Sequence, residues 1–459
     1  MTSFEDLQTF VDFAVDYAED KTEGIVVHGI ESSRSQIRFS QSAIDINKRW
    51  RELKLEIFLI LKGAQIGSIE QSVSNKDEVR DAINTTLEFT KILPESQFFA
   101  GIEESVREYA PVRRVFDEKI DEFTVQAPEI VNSAIDAAVT KGAKRVAGAL
   151  RFGRKQEYFR SSYGPEGTFK STSFDLNVRA FQDELDYSGQ GLHCGTMPTK
   201  DEERMVEAGA QAGRLSKEAI GAEQGEPGKY DLILSPTVAA DIIAGVPGSA
   251  NPFLILIGLS PLGDRMGEEI APDFMTVTDH PHIAGALGSH RFDFEGTPTR
   301  EVRIVENGIL KSLVHNTTTA MMYETKSTGS SALQSISEGS KMLLPGNSNI
   351  VFEAGDHSFE ELIDGNKPTI YVTCNWYTRF QNYQTGEFST IPRDAMFLVK
   401  NGKMTPIKNL RISDNLMRMF ANIEALGKDL KQILWWEVPT PTFVPYVRVS
   451  DCTMTAATQ

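Results

Sequence analysis

The sequence predicts an α+β fold, with a mixed N-terminal half of antiparallel strands and flanking helices and a β-rich C-terminal half. Through about residue 220, amphipathic helical stretches alternate with groups of strand-like runs. Beyond it, strand and loop patterns continue to a last helical stretch at 415–426. The length, 459 residues, exceeds one ordinary core, so more than one domain is expected. The Gly- and acid-rich "GAEQGEPGKY", 221–230, reads as the linker. It divides a 1–220 domain, itself open to division into 1–110 and 111–220, from a 221–459 domain.

The first helix is expected over 3–20, with Ser3 and Asp6 as a capping box and Leu7, Phe10, Val11, Ala14 and Tyr17 on one face. From Gly24 to Gln71 the runs "GIVVHGI", "QIRFSQ", "AIDINKRW" and "LKLEIFLILKG" read as separate strands of an antiparallel meander. A helix capped at Ser74 and Asp77 follows, with Val79, Ile83 and Leu87 inward. The order then recurs: a helix near Glu129 to Lys141, strands from Arg145 to about Leu192, and a helix over Lys200 to Ile220. "GQG" at Gly189 to Gly191 reads as a turn.

After the linker, Leu232, Ile233 and Leu234 read as a buried strand. Ser235 and Pro236 supply an N-cap and a first-turn proline for a short helix over Thr237 to Ala244, stopped by Gly245 and Pro247. A strand feeding a helix start often mounts a nucleophile or a metal ligand. Yet residues 231–253 contain no His, Cys or Glu, and only Asp231 and Asp241 can ionise.

A formal net charge of -17 and the lack of a Lys/Arg-rich run argue against nucleic-acid binding. No basic segment precedes an apolar core at the N-terminus, and no apolar run approaches a membrane span, so no membrane partner is expected. Cys194, Cys374 and Cys452 are scattered and odd in number, which suits free thiols in the cytoplasm.

The densest histidine cluster, "TDHPHIAGALGSHRFDFEGTPTR" (278–300), holds His280, His282 and His290 with Asp279, Asp293 and Glu295. Such groups can ligate zinc. Against this, His-Pro-His in a Gly-rich loop does not align two rings on one face, and a structural loop is the preferred reading. His193 and Cys194 are adjacent on a strand and point to opposite faces, so they form no nucleophile–base pair. Trp435 and Trp436 read as a packed or interface-facing pair.

Several C-terminal features occur in a fixed order: "FDFEGTPTREVRIVENGILKSLVHNTTTA" (292–320), "PGNSNIVFEAGDHSFEELI" (345–363), "TGEFS" (385–389), "FLVKNGKMTPI" (397–407) and "NLMRMFANIEALGKD" (415–429). With "SRSQIRFSQSAI" near the N-terminus, they resemble the TldD/PmbA family, and specifically its TldE (PmbA) branch. The resemblance implies structural roles for Asp293, Glu295, Gly296, Asn349, Gly355 and Gly386. In that family, TldD-type subunits carry a His-Glu-x-x-x-His zinc motif on a helix after a buried strand, completed by a Cys near the C-terminus. Here that helix is expected to read "AADIIAGV" (239–246), with Asp241 near the motif's glutamate and Cys452 near the thiol region.

The implied role is a non-catalytic subunit, with no catalytic, cofactor or metal residue of its own. Zinc is expected on a TldD-type paralogue in a heterodimeric metalloprotease acting on unfolded or leader peptides. The family's label as a DNA gyrase modulator finds no support in the acidic composition. Two alternatives remain: an independent metal-dependent hydrolase built on His280, His282 and His290, and a homodimeric peptide-binding scaffold. Glu295→Ala is expected to cost on the order of 1–3 kcal/mol, as for a lost buried hydrogen-bonded charge, its partners being loop amides, Arg291 or Arg300.

Overall fold

The computed structural model describes residues 4–184, 187–337, 340–365 and 367–457, so the expected cap at Ser3 lies outside the described residues. The first region runs α1 (Phe4–Ala18), β1 (Gly24–Ser40), β2 (Ala43–Leu61), β3 (Gln65–Ser72), α2 (Lys76–Lys91), α3 (Ile120–Thr140), β4 (Arg145–Ser161), β5 (Glu166–Phe181), β6 (Ser188–Gly195) and α4 (Glu202–Glu218). Its strands form one six-stranded antiparallel sheet in the order β3-β2-β1-β4-β5-β6. Helix, three strands, helix thus occurs twice, and the two copies join where β1 pairs with β4.

Three local expectations shift. The polar breaks in the meander do not end strands: β1 runs 17 residues and β2 runs 19. Backbone pairing carries β1 across its polar middle, with Glu31 opposite both Leu53 and Gln156. The α2 cap is Asn75, whose side chain accepts from Glu78 N (3.0 Å) while the Glu78 carboxylate accepts from Ser74 N (2.7 Å). Helix α3 starts at Ile120 rather than near Glu129, with Pro128 inside it, because Phe123, Ala127, Ile130 and Val131 bury one continuous face across the proline.

All four helices cover the same sheet face. Ile25 and Val27 of β1 pack with α1 and α2, and Ile37 and Phe39, on the same face by strand alternation, pack with α3. Residues 189–191 belong to strand β6 rather than to a turn, because their glycines admit α4: a Cβ on Gly191 would meet Ala208 O at 1.9 Å. On the opposite sheet face, Val26, Phe58 and Phe159 meet Phe292, Phe294 and Leu343 of the second region.

That region runs β7 (Glu223–Gln224), β8 (Gly228–Leu234), α5 (Pro236–Asp241), α6 (Gly245–Gly248), α7 (Pro252–Leu256), β9 (Val277–Asp279), β10 (Val302–Glu306), β11 (Ile309–Leu310), α8 (Thr317–Met322), β12 (Ser331–Ser337), β13 (Ser340–Pro345) and β14 (Ile350–Phe352). It continues through α9 (Phe359–Ile363), β15 (Thr369–Asn382), β16 (Glu387–Lys400), β17 (Lys403–Lys408), β18 (Leu410–Asn415), α10 (Leu416–Ala421), β19 (Ile423–Leu426), β20 (Lys431–Trp435), β21 (Val438–Val444) and β22 (Val447–Ala456). One sheet has the order β15-β8-β22-β18-β16-β17-β7, and β15 also pairs with β16, which closes a ring. A second sheet has the order β11-β10-β9-β14-β21-β20. Their shared core includes Leu234, Val238, Val277, Phe352, Phe420 and Val449.

Two expectations are corrected here. The stretch 221–230 is not all linker, since Glu223 pairs with Ile407 and β8 begins at Gly228. The last helix ends at Ala421, because Ile423 and Leu426 are buried in a strand paired with β22. Among the described residues, no helix is long and apolar enough to cross a membrane. A buried polar contact locks the two regions: Asp394 accepts from both the Arg179 guanidinium (2.6 Å) and Ser188 Oγ (2.7 Å).

Candidate functional site

Strand β8 lies between β15, parallel to it, and β22, antiparallel. The chain leaves it through Ser235, whose Oγ donates to Thr373 O (2.7 Å) and caps α5 by accepting from Val238 N. The expected cap and first-turn proline are therefore in place, although α5 stops at Asp241 and a second short turn follows. At the end of α5, Asp241 accepts hydrogen bonds from Thr378 Oγ1 (2.6 Å) and Asn375 Nδ2. Thr390 Oγ1 closes the group, 2.8 Å from Thr378 Oγ1 and 3.0 Å from Asn375 Nδ2. Burial pushes the Asp241 carboxyl up to about 6, against the hydrogen bonds from Thr378 and Asn375.

The donor set decides what this position can hold. One carboxylate, one amide and two hydroxyls contain no imidazole and no thiolate, so the set does not suit zinc. Among the described residues, no group of three or more His, Cys, Asp or Glu converges as metal ligands anywhere. Asn375, Thr378 and Thr390 went unnoticed in the sequence. They lie 134 to 149 positions from Asp241 and carry no local signal.

Segment 278–300 does not bring its histidines and acids to a common point. The His280 and His282 rings are 6.5 Å apart and nearly perpendicular. His282 Nε2 bonds Thr299 Oγ1 (2.9 Å), and His290 Nδ1 bonds Gly288 O (2.7 Å). Burial holds the His282 and His290 rings below the usual imidazole range. Buried Asp279 accepts from Ser348 N (2.7 Å), and burial pushes it up to about 7. Asn349, fully buried, accepts from Gly288 N (2.9 Å) and donates to His280 O (2.8 Å) and Ser289 Oγ (3.1 Å). The segment is pinned as a loop.

Asp293 takes the amides of Glu295 (3.0 Å), Thr297 (2.9 Å) and Ser331 (2.9 Å). Neither acid pairs with arginine: Arg291 donates to Tyr109 O and Arg300 to Lys326 O. Glu295 is fully buried, and no hydrogen bond of ordinary geometry reaches its carboxyl among the described residues. Burial pushes it up to about 7, opposed in part by the nearby Thr317 and Ser331 hydroxyls. Burial and the neighbouring Glu295 charge also raise Asp293 well above the usual carboxylate range, against the lowering effect of its three amide donors.

Three glycines of the family features sit where a side chain would not fit or where the backbone turns. Gly296 has φ +84 and would place a Cβ 2.7 Å from the Phe159 ring. A Cβ on Gly355 would meet Leu426 O at 2.2 Å, and Gly386 turns the chain between β15 and β16 at φ +82.

The cysteines are free and buried. Cys452 opposes Tyr230, four residues and about 13 Å along β8 from the Leu234 end beyond which α5 begins. Cys194 Sγ donates to Gln432 O (3.3 Å), while His193 faces Asp201 (3.6 Å). Burial pushes the Cys194 thiol up to about 12, away from nucleophilic use. Trp435 is buried and Trp436 exposed.

A family profile described as the PmbA/TldA metallopeptidase C-terminal domain matches residues 227–456. The chain belongs to the PmbA/TldD family. Among curated proteins, a metalloprotease of Methanocaldococcus jannaschii is 30% identical over 55% of this chain and 54% of its own length. The metalloprotease PmbA of Escherichia coli O157:H7 is 26% identical over 49% of this chain and 46% of its own. The chain spans about half the length of these relatives. TldE from Thermococcus kodakarensis shares the fold with a TM-score of 0.83 at 18% identity, covering 97% of this chain and 100% of that one. A Thermotoga maritima protein described as a modulator of a DNA gyrase superposes with a TM-score of 0.82 at 20% identity, covering 99% and 100%.

Proposed function

We propose that this chain is the non-catalytic, TldE-like subunit of a heterodimeric TldD/TldE-type zinc metalloprotease that degrades or processes unfolded or leader peptides. The observation that carries the reading is the β8–α5 junction, which presents Asp241, Asn375, Thr378 and Thr390 where a PmbA/TldD catalytic subunit is expected to present its ligands. No histidine in the chain is followed by glutamate. On this reading zinc belongs to the TldD-type partner, where it would activate water and polarise the scissile carbonyl. This chain contributes walls and strand edges. Its second sheet ends on β11 and β20, and an extended substrate can be held at such an edge by main-chain hydrogen bonds. Three buried free thiols fit a cytoplasmic setting.

The test is size-exclusion chromatography with a peptide-cleavage assay on this chain, on a paralogue bearing His-Glu-x-x-x-His, and on their mixture. The mixture should form a one-to-one complex burying more than ~2,000 Å² and should cleave unfolded peptides in a chelator-sensitive way. Chelator-sensitive cleavage by this chain alone would refute the reading. Failure to associate at micromolar concentration would favour the homodimeric scaffold.

A further inference from the structure

A cavity of about 640 Å³ opens in the second region, between the loop after α7, strand β10 and the segment that follows α8. Its charges are unlike those of the whole chain. Arg300, Arg303, Lys311 and Lys326 line it, in a protein whose formal net charge is -17. Arg303 is committed to Glu306 and Glu301, the second of which also lines the cavity. Lys311 and Lys326 make no ion pair among the described residues, and Arg300 spends one guanidinium bond on Lys326 O (3.1 Å). The one other acid on the wall is Asp264. Hydroxyl donors stand among the cations, at Ser312, Thr325 and Tyr323.

One rim of this cavity is apolar and open to solvent. Met266 and Tyr323 line the cavity and are 48% and 42% exposed. The loop that supplies Ile255 to the wall continues through exposed Leu256, Ile257 and Leu259. Met321 and Met322, both exposed, precede Tyr323. Exposed apolar side chains gathered beside a polar pocket mark a binding surface rather than ordinary surface. Methionine adapts its shape to varied partners.

We infer that this cavity and its rim form a docking site for an extended acidic peptide, carboxylates in the Arg300–Lys311–Lys326 pocket and apolar side chains on the Leu256–Met266–Tyr323 rim. Charge complementarity selects the acidic occupant: unpaired cations in an otherwise acidic chain cost solvation if covered by an apolar partner and are repaid by carboxylates. The apolar rim selects a polypeptide over a free small anion, which would use the pocket and leave the rim bare. The inference rests on the reading that this chain handles unfolded peptides, and it specifies which peptides.

The experiment uses the full chain alone, so it is independent of whether a catalytic partner associates. A fluorescein-labelled peptide alternating glutamate and leucine is titrated by fluorescence anisotropy, beside a twin in which glutamine replaces glutamate. The acidic peptide should bind about tenfold or more tightly than its twin, and added salt should narrow the gap. The K311E/K326E double variant should lose that preference while keeping its melting temperature. If the double variant is unstable, L256S/M266S provides a second route and should weaken both peptides about equally. Equal binding of the two peptides, or wild-type binding by a folded double variant, overturns the site.

Discussion

Two regions of the sequence offer candidate site residues, and they are incomplete in opposite ways. The β8–α5 junction has the scaffold: a buried parallel strand, a capped helix and a side chain aimed from its end into a polar cluster. It lacks ligands. Segment 278–300 has three histidines and three acids but no scaffold that converges them; all but the buried Glu295 are spent on a loop amide, a carbonyl or a hydroxyl. Chemistry needs a framework and reactive groups together. Among the described residues the framework stands at the junction and the histidines and acids stand in the loop, a separation that the proposed non-catalytic role expects.

The largest test of that contrast is Asn349→Ala. Its side chain joins three loop groups, and removing it strips Gly288 N and His280 O of this partner while Ser289 Oγ keeps only its bond to Ile283 O. The expected loss is about 3–4 kcal/mol by denaturant unfolding. A loss below about 1 kcal/mol would show that the segment holds its shape without this pin.

Glu295→Gln comes next, and its effect depends on pH. The ordinary value of 4.5 is raised to about 7 in the fold. A raised acid favours the fold only while protonated, so the contribution is full below 4.5 and is lost as pH rises through about 7. Glutamine mimics the protonated form. The variant should match the parent near pH 4.5 and exceed it by up to about 3 kcal/mol at about pH 8. This replaces the expectation of a lost hydrogen-bonded charge, because the carboxyl has no such bonds to lose. A pH-independent difference would show that Glu295 is ionised throughout.

Asp241→Asn makes the same test at the junction, with a smaller effect. The carboxyl rises from 3.8 to about 6, and Thr378 and Asn375 already donate to it. Both donors meet the same carboxylate oxygen, whose place the amide oxygen can take, so the gain above about pH 6 should be about 2–3 kcal/mol and should vanish as pH falls to about 4. Destabilisation at every pH would mean that the charged form is what the cluster was built to hold.

Local signals carried the parts of the structure that depend on neighbours in the chain. The Ser235 cap with Pro236, the inward face of α2 and the span of α4 follow from spacing and capping chemistry alone. Signals shared by two structures misled. Polar residues inside β1 look like a break, and only pairing to β2 and β4 shows that the strand continues. Gly189 and Gly191 look like a turn, and only the approach of α4 explains them. The Asp241 cluster was illegible for a third reason: its partners come from β15 and β16, brought in by parallel pairing far along the chain.

The smallest expected effect is His282→Ala, and it bears directly on the alternative of a metal site in this segment. His282 is partly buried, and its ring makes one hydrogen bond, to Thr299 Oγ1. Thr299 Oγ1 donates in turn to His290 O (2.8 Å), so its hydroxyl proton is already placed and the imidazole Nε2–H must be the donor to it. Burial and the neighbouring His280 keep the ring below the usual imidazole range, which favours this neutral, donating form at pH 7. Removing the ring then costs one ordinary hydrogen bond, about 1 kcal/mol, and leaves the loop pinned by Asn349 and Asp279. A metal ligand would behave differently, because metal binding adds directly to folding free energy. The measurement is thermal unfolding of parent and variant with and without added zinc. A zinc-dependent rise in melting temperature that disappears in His282→Ala would move the chemistry into this segment and reverse the contrast between the two regions.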